Sequence, residues 1–228
     1  MSKEFKSYRL LVVAHPDDET LFFSAALLQQ TTLPWIVVCV TKQNADGTSA
    51  ARAAQFKKAC QKLKVAKSIH WNFLDAYEKR LDLASLEQHL KKLPRPKEVY
   101  THGVVGEYGH PHHQDISYAV HKFFAGLVKV WSPAYNTFAE KKMALTQEQY
   151  QVKSDIYNKI YKGETLRFSQ YLPNRTVDEF TQLNWSEVKE IYFSICEKRV
   201  PQKSKLKKYK WFYEFLAKDN IAEKKRPF

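Results

Sequence analysis

The chain has 228 residues, 44% of them hydrophobic, enough for one large domain with a real core. Its 37 lysines and arginines outnumber 24 acids, and the net charge of +13 favours anionic partners such as nucleic acid, a membrane surface or an acidic substrate. No apolar run approaches the roughly 20 residues of a membrane span, residues 1–8 carry no signal-peptide pattern, and Cys39, Cys60 and Cys196 form no CxxC pair, so a disulfide framework is excluded and a reduced, cytoplasmic protein, peripheral to a membrane at most, is expected.

The first element is a buried parallel strand, Arg9 to Ala14, with β-branched content. Glu19 to Gln30 follows as a helix with Leu21, Phe22, Ala25 and Leu28 on one face. Pro34 to Thr41 reads as a second buried strand and Ser49 to Leu63 as a helix. A strand at Ser68 to Leu74, a helix at Asp82 to Lys92, a strand at Glu98 to His102, a helix at His113 to Phe124 and a strand at Leu127 to Trp131 complete the regular part. This alternation predicts an α/β fold, a Rossmann-like parallel sheet with flanking helices. In such sheets the ligand site lies beyond the carboxyl ends of the strands.

The pattern weakens after Trp131. Residues 1–196 are expected to form the main domain, with 197–228 as a basic segment packed on it. That segment carries Tyr209, Trp211, Phe212, Tyr213 and Phe215; packing is the simpler use for them and contact with an anionic surface the sharper one.

The chemistry concentrates in two loops. His15 and Asp18 stand three residues apart where a strand ends and a helix begins, so a turn can aim an imidazole and a carboxylate at one point. Zinc accepts both, and a catalytic zinc takes three protein ligands with one position open. Asp17, between them, suits a general base. The bland alternative is that Asp17, Asp18 and Glu19 only favour a helix N-terminus. Further on, Gly106-Glu107-Tyr108-Gly109-His110-Pro111-His112-His113 holds three histidines in four residues on the same rim. One of them can complete a two-His, one-carboxylate site, and another can act as a protonated acid or oxyanion partner.

These residues resemble the LmbE-like, or PIG-L, de-N-acetylases. The AHPDDE signature is matched in full by Ala14 to Glu19, and the His-x-x-His signature by His110 and His113; Thr41, Gly47 and Arg52 fit the stretch between. The likeness covers roughly residues 8–130, with a weaker echo at Ser169-Gln170. It implies Zn2+ held by His15, Asp18 and His113 (Fe2+ also suits such a set), Asp17 as general base and His110 as the protonated partner of the transition state. Arg52, Asp75, Glu107 and Tyr108 become the expected substrate contacts. Two departures stand out. Many members carry Asp directly before the final His, where this chain has His112, so that Glu107 or Asp115 must supply the charge for His110 or leave its pKa lowered. Gln55 stands where family helices often carry Glu.

The implied activity is removal of the N-acetyl group from an N-acetylated amino sugar, on an anionic glycoconjugate or polysaccharide precursor, with release of acetate. Two rivals remain: an amidase on a non-sugar or thiol conjugate, and a basic nucleic-acid-binding protein with a vestigial site, against which stands the lack of any RNP, zinc-finger or helix-turn-helix pattern.

Overall fold

The computed structural model describes residues 7–29, 32–44, 49–77, 79–135, 137–164 and 175–218. Gly47 and the Ser169-Gln170 echo lie outside them, as does the side chain of Phe215. Strand β1 (Arg9–Val13) leads through α1 (Asp18–Leu28) to β2 (Trp35–Asn44), then α2 (Ser49–Lys62), β3 (Lys67–Asp75), α3 (Leu83–Lys91), β4 (Glu98–Thr101), α4 (Pro111–Phe124) and β5 (Lys129–Pro133). The remainder is β6 (Lys141–Ala144), α5 (Gln147–Asp155) continued by a π-helical turn (Ile156–Ile160), β7 (Val177–Gln182), α6 (Trp185–Cys196), a 3-10 turn (Lys203–Lys205) and α7 (Lys210–Lys218).

The strands form one sheet in the order β3-β2-β1-β4-β5-β7-β6. The first five are parallel and the last two pair antiparallel. Leu10 to Val13 are fully buried because β1 has both faces covered. Leu11 and Val13 pack with Phe23, Ala26 and Phe56 on one face, Leu10 and Val12 with Leu86, Ile116 and Val120 on the other, as a period of two requires. From β1 the chain runs outward through β2 and β3, then returns to place β4 on the other flank. The order reverses between β1 and β4, and the loops after these two strands carry HPDDE and the histidine cluster.

Helix α4 begins at Pro111, two residues earlier than the apolar periodicity predicts. Proline at the first helical position has its φ preset and no N–H to satisfy, and the His110 side chain caps the helix by accepting from the His112 N–H at 3.2 Å. The last two strands escape periodicity because β6 is four residues long and buries only Met143.

Part of the C-terminal stretch lies against α4 and α6. Leu206, Tyr209 and Phe212 are buried with Val104, Tyr118, Val188 and Ile191. The buried Glu187 carboxylate accepts from the backbone N–H groups of Lys207, Lys208 and Tyr209, which ties the segment to α6. No helix among the described residues is long and apolar enough to cross a membrane.

Candidate active site

The HPDDE turn is held from several sides. Asp17 caps α1 with φ 128°, a region that non-glycine residues rarely adopt. Its N–H donates to Glu19 Oε2, and Glu19 Oε1 accepts from the Thr20 hydroxyl and from the Tyr161 hydroxyl after the π-helical turn. Arg52 of α2 donates to the Pro16 carbonyl at 2.7 Å and meets Asp17 Oδ2 at 3.4 Å. Strain at Asp17 is thus over-determined by a fully buried glutamate and a buried guanidinium. The histidine loop is equally tight. Gly106 has φ 79°, and a Cβ there would meet the His110 carbonyl oxygen at 2.6 Å.

His15, Asp18 and His113 come together. His15 Nδ1 lies 3.4 Å from Asp18 Oδ2, His113 Nε2 lies 3.5 Å from the same oxygen, and the two nitrogens are 3.2 Å apart. Corners of a tetrahedron around zinc, with bonds of about 2.0–2.1 Å, stand roughly 3.4 Å apart. The protons point the same way. His113 Nδ1 is 2.6 Å from Glu107 Oε2, an oxygen that only accepts, so Nδ1 carries hydrogen and Nε2 is the lone pair. His15 Nε2 is 3.3 Å from Asp75 Oδ1, so a proton there leaves Nδ1 for a cation. Two lone pairs and a carboxylate oxygen then face one point, with a carboxylate behind each histidine. These residues fit a divalent cation.

Two other donor groups overlap this one among the described residues, His102/Glu107/His113 and His15/His110/His112. The first is already satisfied: His102 Nε2 accepts the Ala14 N–H at 2.9 Å, its Nδ1 faces Glu107 at 3.1 Å, and Glu107 Oε1 accepts the Gly103 N–H. The second lacks a carboxylate and leaves Asp18 unused.

The electrostatics follow. Burial alone raises Asp18, but His113 and His102 outweigh it and hold its carboxyl well below the ordinary range. Burial also opposes Glu107, which His102 and His113 bring down to about 2. Burial opposes charge on His15 too, yet Asp18 and Asp75 raise it to about 10, so without a cation this imidazole keeps its proton. Burial and the neighbouring His102 lower His113 to about 4. Asp17 is raised well above its ordinary value, first by burial and then by Asp18, against the lowering effect of Arg52 and His15. Burial, with His113, His15 and His112 around it, pushes His110 far down. Its Nδ1 accepts the helix N–H, which leaves Nε2–H as a neutral donor rather than a protonated partner.

The expected substrate contacts divide. Tyr108 stands at the rim, 39% exposed, its ring edge-on to His113 at 5.3 Å. Arg52, Asp75 and Glu107 contact the HPDDE turn, His15 and His113. Neither acid proposed to charge His110 is hydrogen-bonded to it: Glu107 serves His113, His102 and Gly103, and Asp115 accepts from Arg80, the Leu81 N–H and the Tyr192 hydroxyl. Sequence reasoning left out His102, which it placed at the end of β4 without a role, and Tyr77, half-exposed and edge-on to His110 at 5.0 Å. The signal for His102 was its position after a strand on the active rim.

An open α/β sheet with a two-His, one-carboxylate cluster at its switch point defines the class, and its fold is that of the LmbE-like deacetylases. The N,N'-diacetylchitobiose deacetylase of Pyrococcus horikoshii superposes with a TM-score of 0.54 at 15% identity, covering 79% of this chain and 85% of that one. The chain belongs to the PIG-L (GlcNAc-PI de-N-acetylase) family, whose model matches residues 10–124. Among curated relatives, the uncharacterized protein L374 of Acanthamoeba polyphaga mimivirus is 31% identical over 130 residues, 50% of this chain and 56% of that one. A probable N-acetylglucosaminyl-phosphatidylinositol de-N-acetylase of Schizosaccharomyces pombe is 29% identical over 115 residues, 46% of each. The chain thus spans about half the length of these relatives.

Proposed function

We propose that the protein is a zinc-dependent N-deacetylase acting on an N-acetylated amino sugar carried on an anionic group. The observation that supports this most is the convergence of His15 Nδ1, Asp18 Oδ2 and His113 Nε2 within 3.2–3.5 Å of one another. When bound, zinc would polarise the acetamide carbonyl and lower the pKa of water from about 15.7 toward roughly 7. Asp17, beside Asp18 and pressed by its charge, takes a proton from the attacking water as oxygen bonds to the carbonyl carbon. His110 donates its Nε2–H to the oxyanion as the C=O bond opens. The C–N bond then breaks, the proton held by Asp17 passes to the leaving nitrogen, and acetate and a free amine result. Tyr77 and Tyr108 flank His110 with their rings and would form the walls against which a sugar packs.

The positive charge supports an anionic carrier, nucleotide or lipid-pyrophosphate, steered toward the rim. On a lipid carrier, the half-exposed Trp211 of α7 would contribute to contact with the membrane surface. The test is amine release from a panel of N-acetylglucosaminyl compounds with neutral, nucleotide, phospholipid and thiol-bearing aglycones. The expected result is release from the anionic sugars; release only from non-sugar amides would favour the amidase reading.

Arg52 gives a prediction with a sign. Its positive charge lowers the Asp17 pKa, so Arg52→Gln raises it further. Less Asp17 is then deprotonated at a given pH, and the acid limb of kcat/KM moves to higher pH. A pH–rate profile whose acid limb stays in place or moves down removes Asp17 from the proton-transfer step.

A further inference from the structure

We infer that His112 is a positioning residue for His15, a neutral acceptor that shares the His15 Nε2 proton with Asp75. The inference rests on the reading of His15, Asp18 and His113 as metal ligands.

His112 directly precedes the proposed ligand His113 at the start of α4. Its Nε2 lies 3.1 Å from the Ala76 carbonyl and 3.0 Å from the Lys79 carbonyl. Carbonyl oxygens only accept, so Nε2 carries the hydrogen and Nδ1 is left as a lone pair. That lone pair lies 3.3 Å from His15 Nε2, the same distance as Asp75 Oδ1. Both acceptors therefore meet one N–H from the side opposite the cation site, and together they hold His15 in the tautomer that leaves Nδ1 free.

The loop that fixes His112 is itself fixed. Arg80 donates to the Pro111 carbonyl and to Asp115, and the Leu81 N–H donates to the same carboxylate. Two oxygens beside the His112 ring, the Ala76 and Lys79 carbonyls, are acceptors. Histidine turns a donor to them and an acceptor to His15, one nitrogen of each kind.

Two isosteric variants separate the two nitrogens. Asparagine places its Oδ1 near the imidazole Nδ1 position and keeps the acceptor toward His15. Glutamine places its Nε2 near the imidazole Nε2 position and keeps only the bond to the loop carbonyls. Zinc affinity is measured on the full chain by competition with a chromogenic chelator, and the thermal midpoint is measured on the metal-free protein. Zinc affinity is expected to fall about 10- to 100-fold in His112→Gln and to stay within about threefold of the parent in His112→Asn. Metal-free stability is expected to run the other way, with His112→Gln the more stable of the pair. Asp75→Asn is expected to weaken zinc in the same range as His112→Gln. Parent-like zinc affinity in His112→Gln, or the same rank order in both measurements, would overturn the positioning role while leaving the metal reading intact. A parent protein that binds no zinc would overturn both.

Discussion

Asp17→Asn is expected to keep zinc and lose turnover. General-base catalysis contributes about 10²- to 10⁴-fold, and the loss in kcat should fall in that range. Asparagine is the right probe for two reasons. It matches the carboxylate in size, and it is among the few residues enriched at positive φ, where Asp17 sits at 128°. A fall in activity can then be assigned to the missing base rather than to a relaxed turn. Zinc content after dialysis and kcat on the same preparation are the two measurements. Near-parental turnover at full zinc occupancy would remove Asp17 from the reaction.

The neighbouring substitution should give the opposite pattern. Asp18 Oδ2 accepts the His15 backbone N–H at 2.7 Å and faces His15 Nδ1, His113 Nε2 and His102 Nε2 within 3.3–3.5 Å. Asp18→Asn removes the only anionic donor of the set and keeps its shape. Zinc affinity is expected to drop by more than about 100-fold, beyond the range seen when only supporting residues are altered. Activity should fall with it and return in part at high zinc. Retention of parental zinc affinity in Asp18→Asn would move the cation to one of the overlapping histidine groups. Two adjacent aspartates thus separate metal binding from proton transfer.

The parallel half of the fold was legible because its signals are local. Buried strands between amphipathic helices fix the alternation, and the alternation fixes the parallel sheet and its active rim. The antiparallel half was not, since β6 is short and mostly exposed, and the pairing of β5 with β7 joins residues some 50 positions apart. His15, Asp17 and Asp18 stood out because metal chemistry demands their types and the turn demands their spacing, whereas the choice of His113 among the three loop histidines came from the family resemblance. The supporting acids could not be assigned roles in the same way. Asp75 carried no spacing relation to His15, and only the sheet brings β3 alongside the HPDDE turn; Glu107 shares a loop with His113, but nothing in the sequence said which histidine it holds. The same applies to His102, whose approach to Asp18 at 3.3 Å depends on the β1–β4 pairing. Arg52 was expected at the substrate; its burial against the Pro16 carbonyl reflects how closely α2 approaches the turn.

The most direct test of the account is amine release from an N-acetylglucosaminyl phospholipid or nucleotide by metal-stripped protein titrated with zinc. The account predicts no release without metal, then a rise that breaks at one zinc per chain and is absent in Asp17→Asn at the same occupancy. Equal release by the metal-stripped protein, or none from any N-acetylated sugar at full zinc occupancy, would contradict it.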